Sequence, residues 1–232
     1  MPDFDALRGA TLAFDLDGTL VDTAPDLIRA TNVIMAEAGL APVSSANTRN
    51  LVGRGARALI ERAAGLNGHR FSDAELSDLV ARFIAVYGAG IADESVVFPG
   101  VEAALDTLSA KGATLCVCTN KPTGLSLQLL GAVGLKHRFA AIIGADATPR
   151  PKPDGNHILH TIADAGGDPK HAVMIGDSKT DLDAARSARI PIILMSFGYS
   201  EEAPVSLMPD ALMDSYDVLP AMAARLLAGS AR

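Results

Sequence analysis

Three apolar segments of the sequence end in polar side chains that are suited to metal and phosphate chemistry. Asp15 and Asp17 follow the run ATLAF, Thr119 and Asn120 follow ATLCVC, and Asp177 follows HAVMIG. Two carboxylates as close in sequence as Asp15 and Asp17 repel each other unless a cation or a proton lies between them. Mg²⁺ accepts oxygen ligands from carboxylates, carbonyl groups and phosphates. The pair by itself is equally compatible with a solvated acidic loop that caps a helix.

A second acidic pair favours the metal interpretation. Asp177 and Asp181, in GDSKTD, have the spacing of residues on the first turn of a helix. Acidic residues at that position could simply favour the positive end of the helix. Metal binding is the better interpretation, because two acidic loops at neighbouring strand ends would otherwise repel each other.

Thr119, Asn120 and Lys152 are candidates for binding phosphate oxygens. A hydroxyl, an amide and backbone N–H groups at the start of a helix suit an anion, although many such Thr and Asn residues only cap helices. Lys152 lies between two prolines in RPKPDG and could neutralise phosphate charge near Asp15. A lysine in a loop is otherwise a solvated surface residue.

These residues depend on an alternation of strands and helices. Strands are predicted at ATLAF, ATLCVCT, FAAIIGA, HAVMIGD, IPIILMS and DALMDS. Helices are predicted around Leu125–Val133, His157–Ala165, Thr180–Ala188 and Val218–Leu227. Such alternation predicts an α/β fold, a Rossmann-like parallel sheet with helices on both faces. Ligands of such sheets bind at the carboxyl ends of the strands, where the polar residues lie.

The stretch from Pro25 to about Tyr87 differs, because its apolar residues recur at helical spacing throughout. We predict an α/β core domain formed by residues 1–21 and 94–232, and an inserted helical cap domain formed by residues 22–93.

Composition excludes several classes of protein. The 232 residues are 49% hydrophobic and carry a formal charge of −7, which disfavours nucleic acid or an anionic membrane as a partner. Cys116 and Cys118 are predicted to be buried and reduced. Neither a signal peptide nor an apolar run long enough to cross a bilayer is evident, so a cytoplasmic location is expected. The sequence is compatible with a monomer or a homodimer.

The ordered set FDLDGTLVDT, CTNK, RPKPDG and GDSKTDLDAAR resembles the haloacid dehalogenase superfamily of phosphatases. The resemblance covers nearly the whole chain, and the helical insert is similar to the small helical cap of that superfamily. It implies that Asp15 attacks phosphorus to form an aspartyl-phosphate and that Asp17 acts as general acid and then base. The cofactor implied is Mg²⁺, bound by Asp15, Asp177 and the backbone carbonyl of Asp17, with Asp181 as support.

The same resemblance implies that Thr119 and Lys152 hold the phosphoryl oxygens, assisted by backbone amides around Gly18 and Asn120. The substrate is expected to be a small phosphorylated metabolite. In the insert, Arg54 lies in a glycine-flanked loop and could bind a substrate carboxylate, although a surface arginine is an equally good interpretation. Lys121 is a second candidate contact, on the core side of the opening.

The segments VGRG, TNKP and FGY resemble bacterial phosphoglycolate phosphatases most closely. The expected reaction is therefore hydrolysis of 2-phosphoglycolate to glycolate and phosphate. The alternatives are a sugar-phosphate phosphatase, a phosphotransferase similar to β-phosphoglucomutase, and a non-catalytic protein that binds a phosphorylated metabolite.

Overall fold

The predicted parallel sheet is present in the structure, a computed structural model that describes residues 4–44, 52–53 and 55–230. Six strands lie in the order β5-β4-β1-β6-β7-β8, and every neighbouring pair is parallel. The strands are β1 (Thr11–Phe14), β4 (Thr114–Cys118), β5 (Ala141–Ile143), β6 (Ala172–Gly176), β7 (Ile192–Met195) and β8 (Ala211–Met213). The α/β fold class predicted from the sequence is thus confirmed.

The register of the central strands explains why the polar residues converge. Phe14, the last residue of β1, pairs with Val117 of β4 on one side and with Ile175 of β6 on the other. The three strands therefore end at nearly the same level. The side chains that follow them share one edge of the sheet, as expected for parallel strands.

Helices cover both faces of this sheet. Beyond the insert they are α4 (Val101–Ala110), α5 (Thr123–Ala132), α6 (Gly155–Asp164), α7 (Lys179–Ala188) and α8 (Leu219–Ser230). Alternate residues of β1 enter two separate apolar clusters, with Leu12 and Phe14 in one and Ala13 in the other. Cys116 and Cys118 are buried together in the second cluster, and both are free thiols, as predicted.

The described part of the insert contains three helices, namely α1 (Ala24–Glu37), α2 (Gly55–Leu66) and α3 (Asp73–Ala89). Helix α3 packs on both α1 and α2. A two-stranded antiparallel ribbon, β2 (Val21–Asp22) with β3 (Val96–Val97), lies where the chain leaves the core and where it returns. The predicted boundaries, 21/22 and 93/94, fall in or beside this ribbon, and the division into two domains stays a prediction.

The sequence analysis did not identify α4 or the ribbon. Strands of two residues are too short to show an alternating pattern. The four helices that were predicted in the core begin within two residues of their observed starts. Among the described residues, no helix combines the length and the apolar character needed to cross a membrane.

Candidate active site

A cluster of three buried carboxylates lies at the carboxyl edge of the sheet. One side-chain oxygen from each of Asp15, Asp177 and Asp181 lies within 4.8 Å of the other two. Asp15 follows β1 directly, and its N–H donates to the carbonyl of Ile175 in β6 at 2.8 Å. Asp177 follows β6. The sheet register therefore places these two side chains side by side.

Asp181 is held by the first turn of α7. Ser178 is the N-cap of this helix and forms a capping box with Asp181. The Ser178 hydroxyl donates to Asp181 Oδ2 at 2.6 Å, and the Asp177 N–H donates to the same oxygen at 3.2 Å. The carboxylate is thus bound to the backbone beside Asp177 and has its other oxygen available for Lys152.

Lys152 connects the two acidic segments. Its Nζ lies 2.8 Å from Asp15 Oδ1 and 2.6 Å from Asp181 Oδ1, and the residue is only 3% exposed. The backbone of Lys152 is held on both sides, because its N–H donates to His157 Nδ1 and its carbonyl accepts from the Asn120 amide. Burial lowers the pKa of Lys152, but the two carboxylates outweigh burial and raise it above its ordinary value. The side chain is therefore a fixed ammonium group.

A second ion pair lies beside the first. Lys121 Nζ is 2.8 Å from Asp17 Oδ1 and 2.9 Å from Asp17 Oδ2, and Lys121 is 6% exposed. Burial lowers the pKa of Lys121, but the Asp17 carboxylate outweighs burial and holds the pKa above its ordinary value. Lys121 follows β4 and lines the cavity from the side of the core. Its contact with a substrate stays a prediction.

The cluster fits a divalent cation. Two ammonium groups, on Lys152 and Lys121, face the four carboxylates of Asp15, Asp17, Asp177 and Asp181. Burial, opposed by Lys152, raises the pKa of Asp15 to about 6, and burial together with the neighbouring carboxylates raises that of Asp177 well above its ordinary value. Four carboxylates against two ammonium groups leave the cluster with an excess of negative charge. A cation with oxygen ligands would restore the balance.

Gly18 permits the close approach of the two acidic loops. Its φ is +84°, and a Cβ at this position would lie 2.4 Å from Asp177 Oδ2. Any other residue would therefore both strain the backbone and displace a carboxylate of the cluster.

Thr119 and Asn120 lie at the end of β4 and line one cavity together with Asp15 and Asp17. Thr119 is almost fully buried, and its Oγ1 accepts from the N–H of Lys121 at 3.2 Å. The Asn120 side-chain oxygen is buried and has no hydrogen-bond partner among the described residues. Both residues thus face the space beside the proposed nucleophile.

The insert supplies the opposite wall of this cavity, which has a volume of about 50 Å³. Its described lining residues are almost all apolar, and they include Leu27, Leu59 and Phe83. Tyr87 is the exception. The predicted site residue Arg54 lies outside the described residues, so its contact with a substrate stays a prediction.

Sequence reasoning missed two residues that support the site. The Tyr199 N–H donates to Asp177 Oδ2 at 2.5 Å, and its hydroxyl bonds to Asp22 and to the N–H of Ala24, at the start of the insert. His157 is fully buried beneath Lys152. The FGY segment was noticed only as part of a resemblance, and no local pattern showed either contact.

The chain is similar to known proteins over most of its length. A model of the haloacid dehalogenase-like hydrolases matches residues 12–195. A phosphoglycolate phosphatase of Caulobacter vibrioides is 51% identical, over 95% of this chain and 93% of that protein. One of Agrobacterium fabrum is 46% identical, over 94% of both chains.

Solved structures give the same result. A crystal structure from Haemophilus somnus, described as a predicted phosphoglycolate phosphatase, superposes with a TM-score of 0.86 at 28% identity, and the match covers 93% of this chain and 98% of that one. The chain therefore belongs to the haloacid dehalogenase-like hydrolase family, as an enzyme similar to its phosphoglycolate phosphatases.

Proposed function

We propose that this enzyme is a magnesium-dependent phosphatase that hydrolyses 2-phosphoglycolate to glycolate and phosphate through an aspartyl-phosphate on Asp15. The observation that carries the proposal is the buried cluster of carboxylates. Lys152 bonds to Asp15 and Asp181, and a carboxylate oxygen of Asp177 lies within 4.8 Å of an oxygen of each of these two residues. Relatives that are 51% and 46% identical over nearly the whole chain bear the name phosphoglycolate phosphatase, which supports this substrate.

Asp15 is the proposed nucleophile. One of its carboxylate oxygens forms a bond to phosphorus while the bond from phosphorus to the glycolate oxygen breaks. Lys152 fixes the orientation of this carboxylate through its 2.8 Å contact. The Asp15 carboxylate is therefore held in place before a substrate arrives, which is the kind of preorganisation that lowers a reaction barrier.

Asp17 is the proposed acid and base. In the first step it donates a proton to the departing glycolate oxygen. In the second step it accepts a proton from the water whose oxygen attacks phosphorus, and the bond between Asp15 and phosphorus breaks. Asp17 lines the same cavity as Asp15, so both reach one bound molecule.

The residues that would hold Mg²⁺ are Asp15, Asp177 and the backbone carbonyl of Asp17, with Asp181 beside them. Bound Mg²⁺ would neutralise negative charge on the phosphoryl oxygens. Thr119, Lys152 and the backbone N–H of Asn120 would bind those oxygens and keep phosphorus in line with Asp15. The N–H of Gly18 donates to the carbonyl of Val21 at 2.9 Å, so it is not offered to the phosphate.

The insert is proposed to act as a cap that excludes water and selects the substrate. A cavity as small as the one observed suits a short substrate. Arg54 and Lys121 are the proposed contacts of the substrate carboxylate, since a cation pairs strongly with a carboxylate in a site that excludes water.

The test is phosphate release in the presence of Mg²⁺ from a panel of 2-phosphoglycolate, 2-hydroxyethyl phosphate, hexose and pentose phosphates and phosphoserine. We expect the highest kcat/KM for 2-phosphoglycolate, and a decrease for that substrate in Arg54→Ala. Preference for a sugar phosphate would contradict the proposed substrate. Isomerised sugar phosphate without net phosphate release would contradict hydrolysis itself.

A further inference from the structure

Tyr87, in helix α3, carries an unexplained polar group in the wall of the substrate cavity. The residue is 1% exposed, and its hydroxyl has no hydrogen-bond partner among the described residues. Leaving a buried hydroxyl without a partner costs on the order of 1–3 kcal/mol. A hydroxyl placed at the wall of a cavity can be satisfied by a ligand that binds there.

The surroundings of Tyr87 make this hydroxyl distinctive. The other described residues that the insert contributes to the cavity wall are glycines or apolar residues, including Val52, Ala56 and Phe83. The ring of Phe83 stacks on that of Tyr87, with the centroids 5.9 Å apart and the planes 7° apart. The Tyr87 ring is therefore held in one orientation, and the hydroxyl is the polar group that the described part of the insert offers to a substrate.

Lys121 lies against the same ring. Its Nζ is 4.5 Å from the ring centroid of Tyr87 and 2.8 Å from Asp17 Oδ1. Burial raises the pKa of Tyr87 to about 12, although Lys121 opposes this shift, so the hydroxyl keeps its proton at neutral pH. An ammonium group of the core wall and a hydroxyl donor of the insert wall thus meet at one corner of the cavity, a combination that suits an anion.

The position of this corner identifies which anion of the substrate would reach it. Asp17, the proposed acid, must lie near the oxygen that leaves phosphorus. In a phosphorylated 2-hydroxy acid the carboxylate is one carbon beyond the carbon that bears this oxygen. Because Lys121 contacts Asp17 directly, a carboxylate at this distance falls beside Lys121 and Tyr87 rather than beside Lys152.

We infer that the Tyr87 hydroxyl donates a hydrogen bond to the substrate carboxylate, with Lys121 as its charged partner, and that Tyr87 is a specificity-determining residue of the enzyme. This inference rests on the proposed phosphatase function. The substrate class that this contact selects is a short phosphorylated 2-hydroxy acid. The apolar remainder of the wall offers no described partner to the hydroxyl groups of a sugar phosphate, which would be buried at a cost.

The test compares Tyr87→Phe with the wild type on 2-phosphoglycolate and on 2-hydroxyethyl phosphate, which lacks the carboxylate. The measured quantity is the ratio of the two kcat/KM values. Loss of one hydrogen bond to a charged group is expected to lower this ratio by about tenfold or more, mainly through KM for 2-phosphoglycolate. An unchanged ratio would overturn the inference.

A matched control is Tyr216→Phe, which removes another buried hydroxyl, one that donates to the Thr19 carbonyl at 2.7 Å. It is expected to leave the ratio within about twofold, so an equal fall in both variants would also overturn the inference. The wild-type ratio keeps the two proposals apart. A wild type without preference for 2-phosphoglycolate contradicts both, whereas a preference that survives in Tyr87→Phe contradicts only the role of Tyr87.

Discussion

The two walls of the cavity differ in whether their charged and polar groups are paired. On the core wall each lysine is paired, since Lys152 bonds to Asp15 and Asp181 and Lys121 bonds to Asp17. On the insert wall the described residues are apolar apart from Tyr87, whose hydroxyl is unpaired. The charged groups of the core wall are thus fixed in advance by ion pairs, while the insert wall leaves one polar group for a ligand.

From this difference we expect the core wall to serve catalysis and the insert wall to serve substrate selection. Groups that stabilise a transition state act best when they are already oriented, which the ion pairs of the core wall achieve. An apolar wall contributes shape and excludes water, and a few polar groups in it decide which substrate fits. We therefore expect changes at Asp15, Lys152 and the metal-binding carboxylates to slow hydrolysis of every phosphate ester alike. Changes in the insert wall are expected to alter the preference among esters.

The largest effect is expected for Asp15→Asn, because an amide oxygen is a poor nucleophile. kcat should fall by about 10⁴-fold or more for every ester. Steady-state phosphate release from 2-phosphoglycolate and 2-hydroxyethyl phosphate checks this. Asp183→Asn is the matched control, since Asp183 is paired with Lys179 on the exposed surface of α7. Comparable activity of Asp15→Asn and Asp183→Asn would refute the assignment of the nucleophile.

Removal of divalent cations should abolish turnover of all esters, and added Mg²⁺ should restore it, because the carboxylates of the cluster outnumber its ammonium groups. Phosphate release after dialysis against a chelator, with and without Mg²⁺, measures this. Full activity in excess chelator would contradict the metal assignment.

Lys152→Met should lower kcat by about 10²- to 10³-fold for both esters. The variant removes the ammonium group shared by Asp15 and Asp181, so the free energy of unfolding should also fall, by about 3–5 kcal/mol without metal. Kinetics and urea unfolding are measured on the same preparation. If instead kcat is retained and the preference between the esters changes, Lys152 selects the substrate. That result would contradict the proposed division of roles between the two walls.

The smallest effect is expected at His157, whose Nδ1 accepts a hydrogen bond from the backbone N–H of Lys152. Burial, helped by the Lys152 ammonium, lowers the pKa of His157 from 6.5 to about 4. A pKa below the unfolded value means that the neutral ring stabilises the fold above pH 6.5, and that this contribution is lost as the pH falls toward 4.

The measurement is urea unfolding of the wild type and of His157→Asn, in which the amide oxygen can still accept from the Lys152 N–H. The stability advantage of the wild type should shrink by about 2 kcal/mol between pH 7.5 and pH 5. An advantage that does not vary with pH would show that His157 is not held neutral by its surroundings.

Predictability from sequence also differs between the two walls. The meeting of Asp15, Thr119 and Asp177 could be predicted, because residues that follow neighbouring parallel strands share one edge of the sheet. The positions of Tyr87 and Tyr199 could not, because they depend on how the insert and a loop pack on the core. No periodicity or motif encodes such a packing angle, and Tyr87 looks in the sequence like any apolar residue of a helix.

The central claim is that Asp15 becomes phosphorylated during turnover. The most direct test is an acid quench of the enzyme during hydrolysis of ³²P-labelled 2-phosphoglycolate with Mg²⁺, followed by peptide mapping. We predict a label on the peptide that contains Asp15, released by hydroxylamine, stronger in Asp17→Asn and absent in Asp15→Asn. Sustained turnover with no label on Asp15, or with the label on another residue, would contradict the proposed mechanism.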